Sequence, residues 1–399
     1  MIQRQLYYQR LNSFLNTDLV KVITGQRRVG KSYMLLQTID QLIHNGVPKK
    51  NIIHIDKEQS VFNQITDDAS LVEYFNSKLT ESDPATYRYL FIDEVQEIID
   101  FQKAIRSIRT VDNVDIYLTG SNSNIVSSEI ATLLSGRYIE IPVYPLTFSE
   151  FINFSSFETE EQAFDSYLQL GGMPYLHKLD FDIERCEVYL ENVYNTIVLH
   201  DVVKRNRIRN VSQIERLITY LSNNTGSITS PHAISKYHKS LGLKMTPNMV
   251  LDYIGNLESS YIIHEAKRFD IVGKKIFDRN SKYYFNDVGI RNIKETVDND
   301  INKILENIVH MNLLAFGYEV SVGVVGDKEI DFICKKNNEI EYIQVSYLLA
   351  NNEVREREFG NLAQISDNYP KYVLTLDPVQ SDFKGIKHMH VRDFLINLE

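Results

Sequence analysis

The fold is decided by a stretch near the start of the chain, Gly25-Gln26-Arg27-Arg28-Val29-Gly30-Lys31-Ser32. It matches the pattern G-x-x-x-x-G-K-[ST] in full, and it lies between an apolar run at 19–23 and a helical pattern at 30–44. A strand, a glycine-rich turn and a helix in this order surround a phosphate group with backbone N–H groups and a helix N-terminus. The stretch therefore predicts a phosphate-binding loop.

The residue types in this loop suit the phosphates of a nucleotide. Glycines let the backbone wrap around the phosphates, Lys31 reaches the β- and γ-phosphates, and the Ser32 hydroxyl can ligate Mg²⁺. We predict that nine consecutive residues contact the nucleotide: Gly25, Gln26, Arg27, Arg28, Val29, Gly30, Lys31, Ser32 and Tyr33.

Polar residues at the ends of two later strands agree with this prediction. The strand Tyr89–Ile92 ends in Asp93 and Glu94. In P-loop enzymes an acidic residue at this place holds the Mg²⁺ shell, so we predict Asp93 as a metal ligand. Glu94 is then expected to polarise the attacking water as a general base.

Ser121 falls where P-loop ATPases of the additional-strand class place a γ-phosphate sensor, although Ser after a strand is also ordinary turn chemistry.

Alternating strands and helices predict an α/β fold with a parallel sheet covered on both faces. Five strand-like runs, separated by helical segments, lie at 19–23, 51–56, 88–92, 114–119 and 138–141. We expect a P-loop ATPase domain at 1–155 and a helical lid at 156–225. A winged-helix-like domain is expected at 226–295, and a nuclease-like α/β domain at 296–399.

Composition excludes several other classes of protein. The 399 residues include 43% hydrophobic and 24% charged residues, with only 9 Pro and 17 Gly, as in an ordinary globular protein. No apolar run approaches the roughly 20 residues of a membrane helix, and the N-terminus lacks the apolar core of a signal peptide. Two cysteines cannot form a disulfide framework or a four-ligand zinc site. We expect a cytoplasmic protein without membrane contact.

The chain resembles a family of prokaryotic AAA-type P-loop ATPases that carry a C-terminal domain of unknown function. The resemblance implies ATP binding and hydrolysis on a fold similar to archaeal-type ATPases. Its motifs span nearly the whole chain and are Gly25–Ser32, Leu90–Glu94, Leu118–Ser123, Leu134–Arg137, Pro145–Phe151, Gly171–Pro174, Glu329–Phe332 and Tyr342–Tyr347.

Two arginines stand where related ATPases place residues that sense the transferred charge. Arg137 follows Ser135 and Gly136, and Arg205 follows Lys204. A cationic side chain stabilises the charge of the phosphoryl-transfer transition state, so we predict a catalytic role for both. The alternative is an ordinary salt bridge or a solvated side chain. Such ATPases commonly complete the site at a subunit interface, which makes a homo-oligomer an expectation.

Residues 226–292 are the basic part of an acidic chain. They contain ten Lys and Arg against six Asp and Glu, whereas the whole chain has a net charge of −10. A helix expected to start at Thr246 and a β-ribbon around Lys274 and Lys275 suggest a winged helix. Such a basic wing suits contact with the DNA backbone. However, the helix 247–257 contains no Lys or Arg, which disfavours the reading of bases.

The C-terminal segment resembles the PD-(D/E)xK nuclease layout, with Glu306 on a helix and Asp331 on a strand. That chemistry needs a second carboxylate and a lysine, but Gln344 and Ser346 stand at those positions. We therefore predict a nuclease-like scaffold without nuclease activity.

Three hypotheses remain. The preferred one is a Mg²⁺-dependent ATPase that couples hydrolysis to rearrangement of C-terminal DNA- or protein-binding modules, with ATP and ADP as its ligands. The second is a nucleotide-gated DNA-binding or regulatory switch with little turnover, and the third is an ATP-regulated nuclease. The choice of ATP over GTP rests on the family resemblance, because no guanine-selecting N-K-x-D motif stands out.

Overall fold

The computed structural model describes residues 2–123, 125, 134–277, 280–295 and 300–398. The chain forms two compact units. The first contains the chain up to Val143 together with Ser259–Tyr261, and the second contains Tyr144–Glu258 and the chain from Ile262 onward. The predicted domain bounds at 1–155, 156–225, 226–295 and 296–399 remain predictions, and residue 296 lies outside the described residues.

A five-stranded, wholly parallel sheet forms the centre of the first unit, in the order β2-β3-β4-β1-β5. This confirms the predicted α/β class. The strands are β1 (Val20–Thr24), β2 (Ile52–Asp56), β3 (Arg88–Asp93), β4 (Val114–Gly120) and β5 (Tyr138–Pro142).

Four helices accompany this sheet among the described residues: α1 (Gln5–Asn12), α2 (Lys31–His44), α3 (Asp68–Leu79) and α4 (Phe101–Ile108). Every residue of β1 and β3 is buried, as expected for a parallel sheet with both faces covered. The core of this unit combines strand side chains such as Val22, Leu90 and Ile92 with helix side chains such as Phe101 and Ile105. The central strands are therefore held from both faces.

The second unit begins with helices, as the periodicity predicts. These are α5 (Phe148–Phe154), α6 (Glu160–Leu170), α7 (Ile183–Thr196), α8 (Val211–Asn223), α9 (Pro231–Ser240) and α10 (Pro247–Ser259), and α7 continues into a π-helical turn at Ile197–Lys204. The capping box between Thr147 and Glu150 starts α5.

Four short strands follow. Two of them form the ribbon that the sequence predicts on either side of the basic turn, and the other two form a hairpin that the sequence did not indicate. They are β6 (Ile263–Ala266), β7 (Arg268–Asp270), β8 (Lys275–Ile276) and β9 (Lys282–Phe285). β6 pairs with β9, whereas β7 and β8 form a separate hairpin that carries the basic turn. β7 also pairs with a strand more than 50 residues later, around Gly323. Such long-range pairing leaves no local signal in the sequence.

Five further strands follow: β10 (Glu319–Val325), β11 (Lys328–Lys336), β12 (Glu339–Val345), β13 (Lys371–Thr375) and β14 (Lys387–His390). Together with β7 and β8 they form a mixed sheet in the order β14-β13-β12-β11-β10-β7-β8. The helices of this region are α11 (Val288–Asn292), α12 (Ile301–Ala315), α13 (Asn352–Ala363) and α14 (Val391–Ile396). Across the part of the chain that is described, no helix combines the length and apolarity needed to span a bilayer.

A fully buried ion pair joins the two central strands of the first unit. Lys21 Nζ on β1 lies 2.5 Å from Asp115 Oδ1 on β4, and neither side chain is exposed. Asp115 also accepts hydrogen bonds from the Asn16 backbone and the Tyr117 hydroxyl. Burial lowers the pKa of Lys21 and raises the pKa of Asp115, because both charges are removed from water. Each group is therefore stable in the core only with its partner.

Removal of one partner of this pair should destabilise the first unit strongly. We expect Lys21→Met to lower the free energy of unfolding by about 3–5 kcal/mol, because it leaves Asp115 buried without its counter-ion. The double variant K21M/D115L should regain much of this loss. Chemical denaturation of the three proteins measures the effect, and a loss below about 1 kcal/mol in Lys21→Met would show that the pair is not needed for the sheet.

Candidate nucleotide-binding site

The predicted site residues meet at one edge of the first sheet. β1, β3 and β4 run in parallel, so their carboxyl ends lie side by side: Thr24 pairs with Gly120, and Ile92 with Leu118. The phosphate loop follows β1, the two carboxylates end β3, and Ser121 follows β4. This parallel arrangement brings together residues that lie almost 100 positions apart in the chain.

The backbone conformation of the loop explains why glycine occupies positions 25 and 30. Gly25 has a φ of +142°, and a Cβ there would lie 2.2 Å from the Val143 carbonyl oxygen. Gly30 has a φ of +102° with no neighbouring atom in the way, so its conformation alone requires glycine. Arg28 adopts a left-handed φ of +71°, which is unfavourable for a side chain with a Cβ. Strain of this kind is concentrated at ligand-binding sites.

The loop lysine is folded onto the loop itself. Lys31 Nζ donates hydrogen bonds to the carbonyl oxygens of Gly25 and Gln26, both at 2.9 Å, and it lies 3.9 Å from Glu94 Oε1. Its side chain is only 4% exposed. The ammonium group is thus held at the centre of the loop, where a phosphate would meet it.

The other predicted nucleotide contacts fall into exposed and buried groups. Ser32 and Tyr33 are exposed on the first turn of α2, whereas Gln26 and Val29 are buried. The Val29 carbonyl accepts a hydrogen bond from the guanidinium of Arg4, 25 residues away. The exposed Ser32 hydroxyl is therefore accessible to a metal ion, while Gln26 and Val29 contribute mainly through their backbone.

A threonine that the sequence did not single out joins the two predicted carboxylates. The Thr119 hydroxyl donates to Asp93 Oδ1 and accepts a hydrogen bond of 2.9 Å from the Glu94 backbone N–H. Glu94 itself has a left-handed φ of +53°. Thr119 thus orients both residues in a strained turn at the strand end. The only signal in the sequence was its position one residue before Gly120.

Glu94 is buried within a set of hydrogen-bond donors. Its Oε2 atom accepts hydrogen bonds from the Ser121 hydroxyl at 3.0 Å and from the Gln96 amide. Burial by itself raises the pKa of Glu94, but Lys31, Gln96, Arg27 and Ser121 together hold the pKa below its usual value. The carboxylate is consequently ionised at neutral pH, the state that a general base requires.

The donor set at this edge fits Mg²⁺. Asp93 and Ser32 supply oxygen atoms, and Mg²⁺ is usually bound through one or two protein oxygens together with substrate phosphates and water. No three His, Cys, Asp or Glu side chains form a metal group within the described residues. The roles of Ser32 and Asp93 as metal ligands remain predictions.

One of the two predicted arginines, Arg137, lies at the opposite edge of the sheet from this cluster. Arg137 precedes β5, and its carbonyl oxygen accepts a hydrogen bond from the Val20 backbone at the amino end of β1, roughly 15 Å of strand away from the loop. Arg205 belongs to the second unit, where it lies 3.7 Å from the buried Asp201. A catalytic role for either arginine remains a prediction. The number of residues between the loop and an arginine does not indicate whether the arginine lies at the same edge of the sheet as the loop.

A segment from much later in the chain also reaches this unit. The Ser259 carbonyl accepts a hydrogen bond of 3.0 Å from the Ser123 backbone, two residues after Ser121. Burial raises the pKa of Tyr261, which hydrogen-bonds with Thr24 directly before the loop. Tyr261 has a left-handed φ of +55°. No motif in the sequence indicated these contacts.

Comparison with known proteins agrees with this geometry. A family model described as an AAA domain matches residues 17–152, and a model of a domain of unknown function matches residues 161–300. Among solved structures, the Walker-type ATPase of Pyrococcus abyssi is similar with a TM-score of 0.48 and 18% identity, covering 73% of this chain and 95% of that one. A likeness at this level carries no conclusion about function.

Two relatives are similar to the chain over most of its length. An uncharacterized protein of Haemophilus influenzae is 35% identical over 403 residues, which cover 99% of both chains. An uncharacterized protein of Methanocaldococcus jannaschii is 30% identical over 354 residues, covering 85% of this chain and 77% of the relative. The chain belongs to the family of these two proteins, and its residues 17–152 are an AAA-type ATPase domain.

Proposed function

We propose that the protein binds ATP with Mg²⁺ at the phosphate loop and hydrolyses it. The observation that carries this proposal is the buried carboxylate of Glu94, held by Ser121 and Gln96 and lying 3.9 Å from the ammonium of Lys31. A buried, hydrogen-bonded carboxylate next to the loop lysine supports a role for Glu94 in activating a water molecule beside a bound phosphate.

The residues of the site divide the chemistry between them. Lys31 and the backbone N–H groups of the loop bind the phosphates, and Ser32 and Asp93 hold Mg²⁺, which neutralises charge on the phosphate oxygens. Glu94 accepts a proton from the attacking water. Ser121 donates a hydrogen bond to the Glu94 carboxylate, and through this carboxylate it senses the γ-phosphate. The preference for ATP follows from membership of the AAA class.

We further propose that hydrolysis is coupled to rearrangement of the C-terminal modules. Support comes from Ser259–Tyr261, which begin at the last residue of α10 and precede β6 in the chain. Their hydrogen bonds to Ser123 and Thr24 place them next to the strand ends that carry the sensor and the loop. Because the Ser123 backbone is hydrogen-bonded to Ser259, a shift of Ser121 on loss of the γ-phosphate would also move Ser259–Tyr261.

A second candidate function is a nucleotide-gated DNA-binding switch with little turnover. The observation that favours it is the β7–β8 hairpin, at whose tip Lys274 and Lys275 are exposed. The basic surface is smaller than the sequence count suggests, because Lys282 and Arg291 are buried and paired with carboxylates. Direct reading of bases by α10 lacks support, since this helix contains no Lys or Arg.

Substitution of the loop lysine should weaken nucleotide binding. We expect Lys31→Ala to raise the dissociation constant for Mg²⁺-ATP about 10- to 100-fold, as for the loss of charge-assisted hydrogen bonds. Equilibrium binding of a fluorescent ATP analogue measures the change. Lys50→Ala, at an exposed lysine of the same unit, is the control and should bind normally. Unchanged affinity in a folded Lys31→Ala protein would remove the assignment of the loop.

Substitution of the proposed base should separate binding from hydrolysis. We expect Glu94→Gln to bind ATP normally but to release phosphate about 10²- to 10⁴-fold more slowly, because the amide cannot accept the proton. The exposed Glu97, three residues later, provides the matched control Glu97→Gln, which should retain activity. Steady-state phosphate release compares the three proteins. Loss of turnover in Glu97→Gln alone would transfer the base role to that residue.

Neutralisation of the hairpin tip tests the DNA hypothesis. If Lys274 and Lys275 contact phosphates, their replacement by alanine should weaken binding to duplex DNA and flatten the plot of log affinity against log salt by about 0.9 for each lost contact. Fluorescence anisotropy over a range of salt concentrations measures the slope. A slope equal to that of the unmodified protein would exclude this hairpin as a DNA-contacting surface.

A further inference from the structure

The ammonium group of Lys282 on β9 is enclosed by three carboxylates. Its Nζ atom lies 2.8 Å from Glu329 Oε1 and 3.1 Å from both Glu306 Oε2 and Asp331 Oδ1. The lysine side chain is 3% exposed, against 8% for Asp331 and 14% for Glu306. A single buried cation thus stands among three acidic groups from α12 and β11.

Other contacts fix the carboxylates around this cation. The Tyr284 hydroxyl donates to Glu306 Oε2 at 3.1 Å, and the Val345 backbone N–H donates to Asp331 Oδ2 at 2.9 Å. Gln344 Oε1 in turn accepts a hydrogen bond from the Asp331 backbone. The cluster is therefore built by fixed elements of the fold rather than by flexible side chains that happen to meet.

The charges of the cluster do not balance. Burial alone lowers the pKa of Lys282, but the surrounding carboxylates raise it well above its usual value, so the ammonium stays charged. The cluster thus sets one ammonium group against three carboxyl groups. A divalent cation would satisfy the same groups more completely.

An imidazole beside the cluster has no hydrogen-bond partner among the described residues. Both ring nitrogens of His310 are buried and unpaired, and the residue lies one helical turn after Glu306 on α12. Its ring stacks 4.2 Å from the Tyr284 ring, and the charge of Lys282 contributes to the lowering of its pKa. Buried, unsatisfied ring nitrogens are costly, and imidazole nitrogen is a common metal ligand.

The cluster contains Glu306 and Asp331, which the resemblance to PD-(D/E)xK nucleases places at a metal site. Gln344 and Ser346 stand where that chemistry needs a second carboxylate and a lysine. Lys282 lies on a different strand, β9, and does not replace the missing lysine. It also lies among the carboxylates rather than beside them. Lys282 therefore occupies the position of the cation.

We infer that Lys282 is a built-in cation that fills a divalent-metal site formed by Glu306, Glu329 and Asp331 and keeps Mg²⁺ or Mn²⁺ out of it. Within the described residues no three His, Cys, Asp or Glu side chains form a group that could hold a metal ion, and the Lys282 ammonium lies within 3.1 Å of all three acids. Withdrawal of β9 from the cluster would open the site to an oxygen-preferring divalent ion. This inference is independent of ATP hydrolysis.

Replacement of Lys282 by methionine tests the inference, because it removes the charge and keeps a side chain of similar length. We expect Lys282→Met to be less stable than the unmodified protein without metal, and to be stabilised by Mn²⁺. At about ten times its dissociation constant, the ion should raise the unfolding temperature of the variant by roughly 3–6 °C. The unmodified protein contains the same candidate Mg²⁺ site in its first unit, so any response from that site is subtracted.

Two further variants serve as controls. Lys303→Met changes another lysine that forms hydrogen bonds, on α12, and should respond to Mn²⁺ as the unmodified protein does. The double variant K282M/D331N should lose the added response. Equal Mn²⁺ responses in Lys282→Met and the unmodified protein would overturn the inference. If Lys282→Met is unfolded without metal, Mn²⁺ must restore its fold, and failure to do so would also overturn it.

Discussion

The parallel pairing of β3, β4 and β1 is the constraint on which the candidate site depends. Parallel strands end at the same edge of a sheet, so the loop after Thr24, the carboxylates of Asp93 and Glu94 and the hydroxyl of Ser121 are brought together by backbone hydrogen bonds alone. The buried ion pair between Lys21 and Asp115 joins the same strands, so it links the stability of the core to the alignment of the site.

The site combines strain with buried polar groups, and each compensates for the other. The left-handed backbone at Arg28 and Glu94 is unfavourable in isolation, and it persists because the surrounding structure holds it. Ser121 and Gln96 donate hydrogen bonds to the Glu94 carboxylate, whereas Thr119 accepts one from the Glu94 backbone N–H. Under the proposed function, a site held in this way would need little reorganisation when a phosphate binds, which is the property that electrostatic catalysis requires.

The second unit uses a buried charge in a different way. Lys282 compensates three carboxylates that would otherwise repel one another, and this interaction ties β9 to α12 and β11. If Lys282 fills a metal site as we infer, β9 would have to move before a divalent ion could bind there.

The sequence by itself determined the order of strands and helices in the first unit, the phosphate loop and the pair Asp93 and Glu94, because these depend on local periodicity and on a short, specific motif. Only the tertiary structure decided the partners of Glu94, the separation of Arg137 from the loop and the return of Ser259–Tyr261 to the first unit. It also reassigned Lys282 from a basic surface to a buried cluster. These features depend on hydrogen bonds and ion pairs between residues far apart in the chain, which no local pattern encodes.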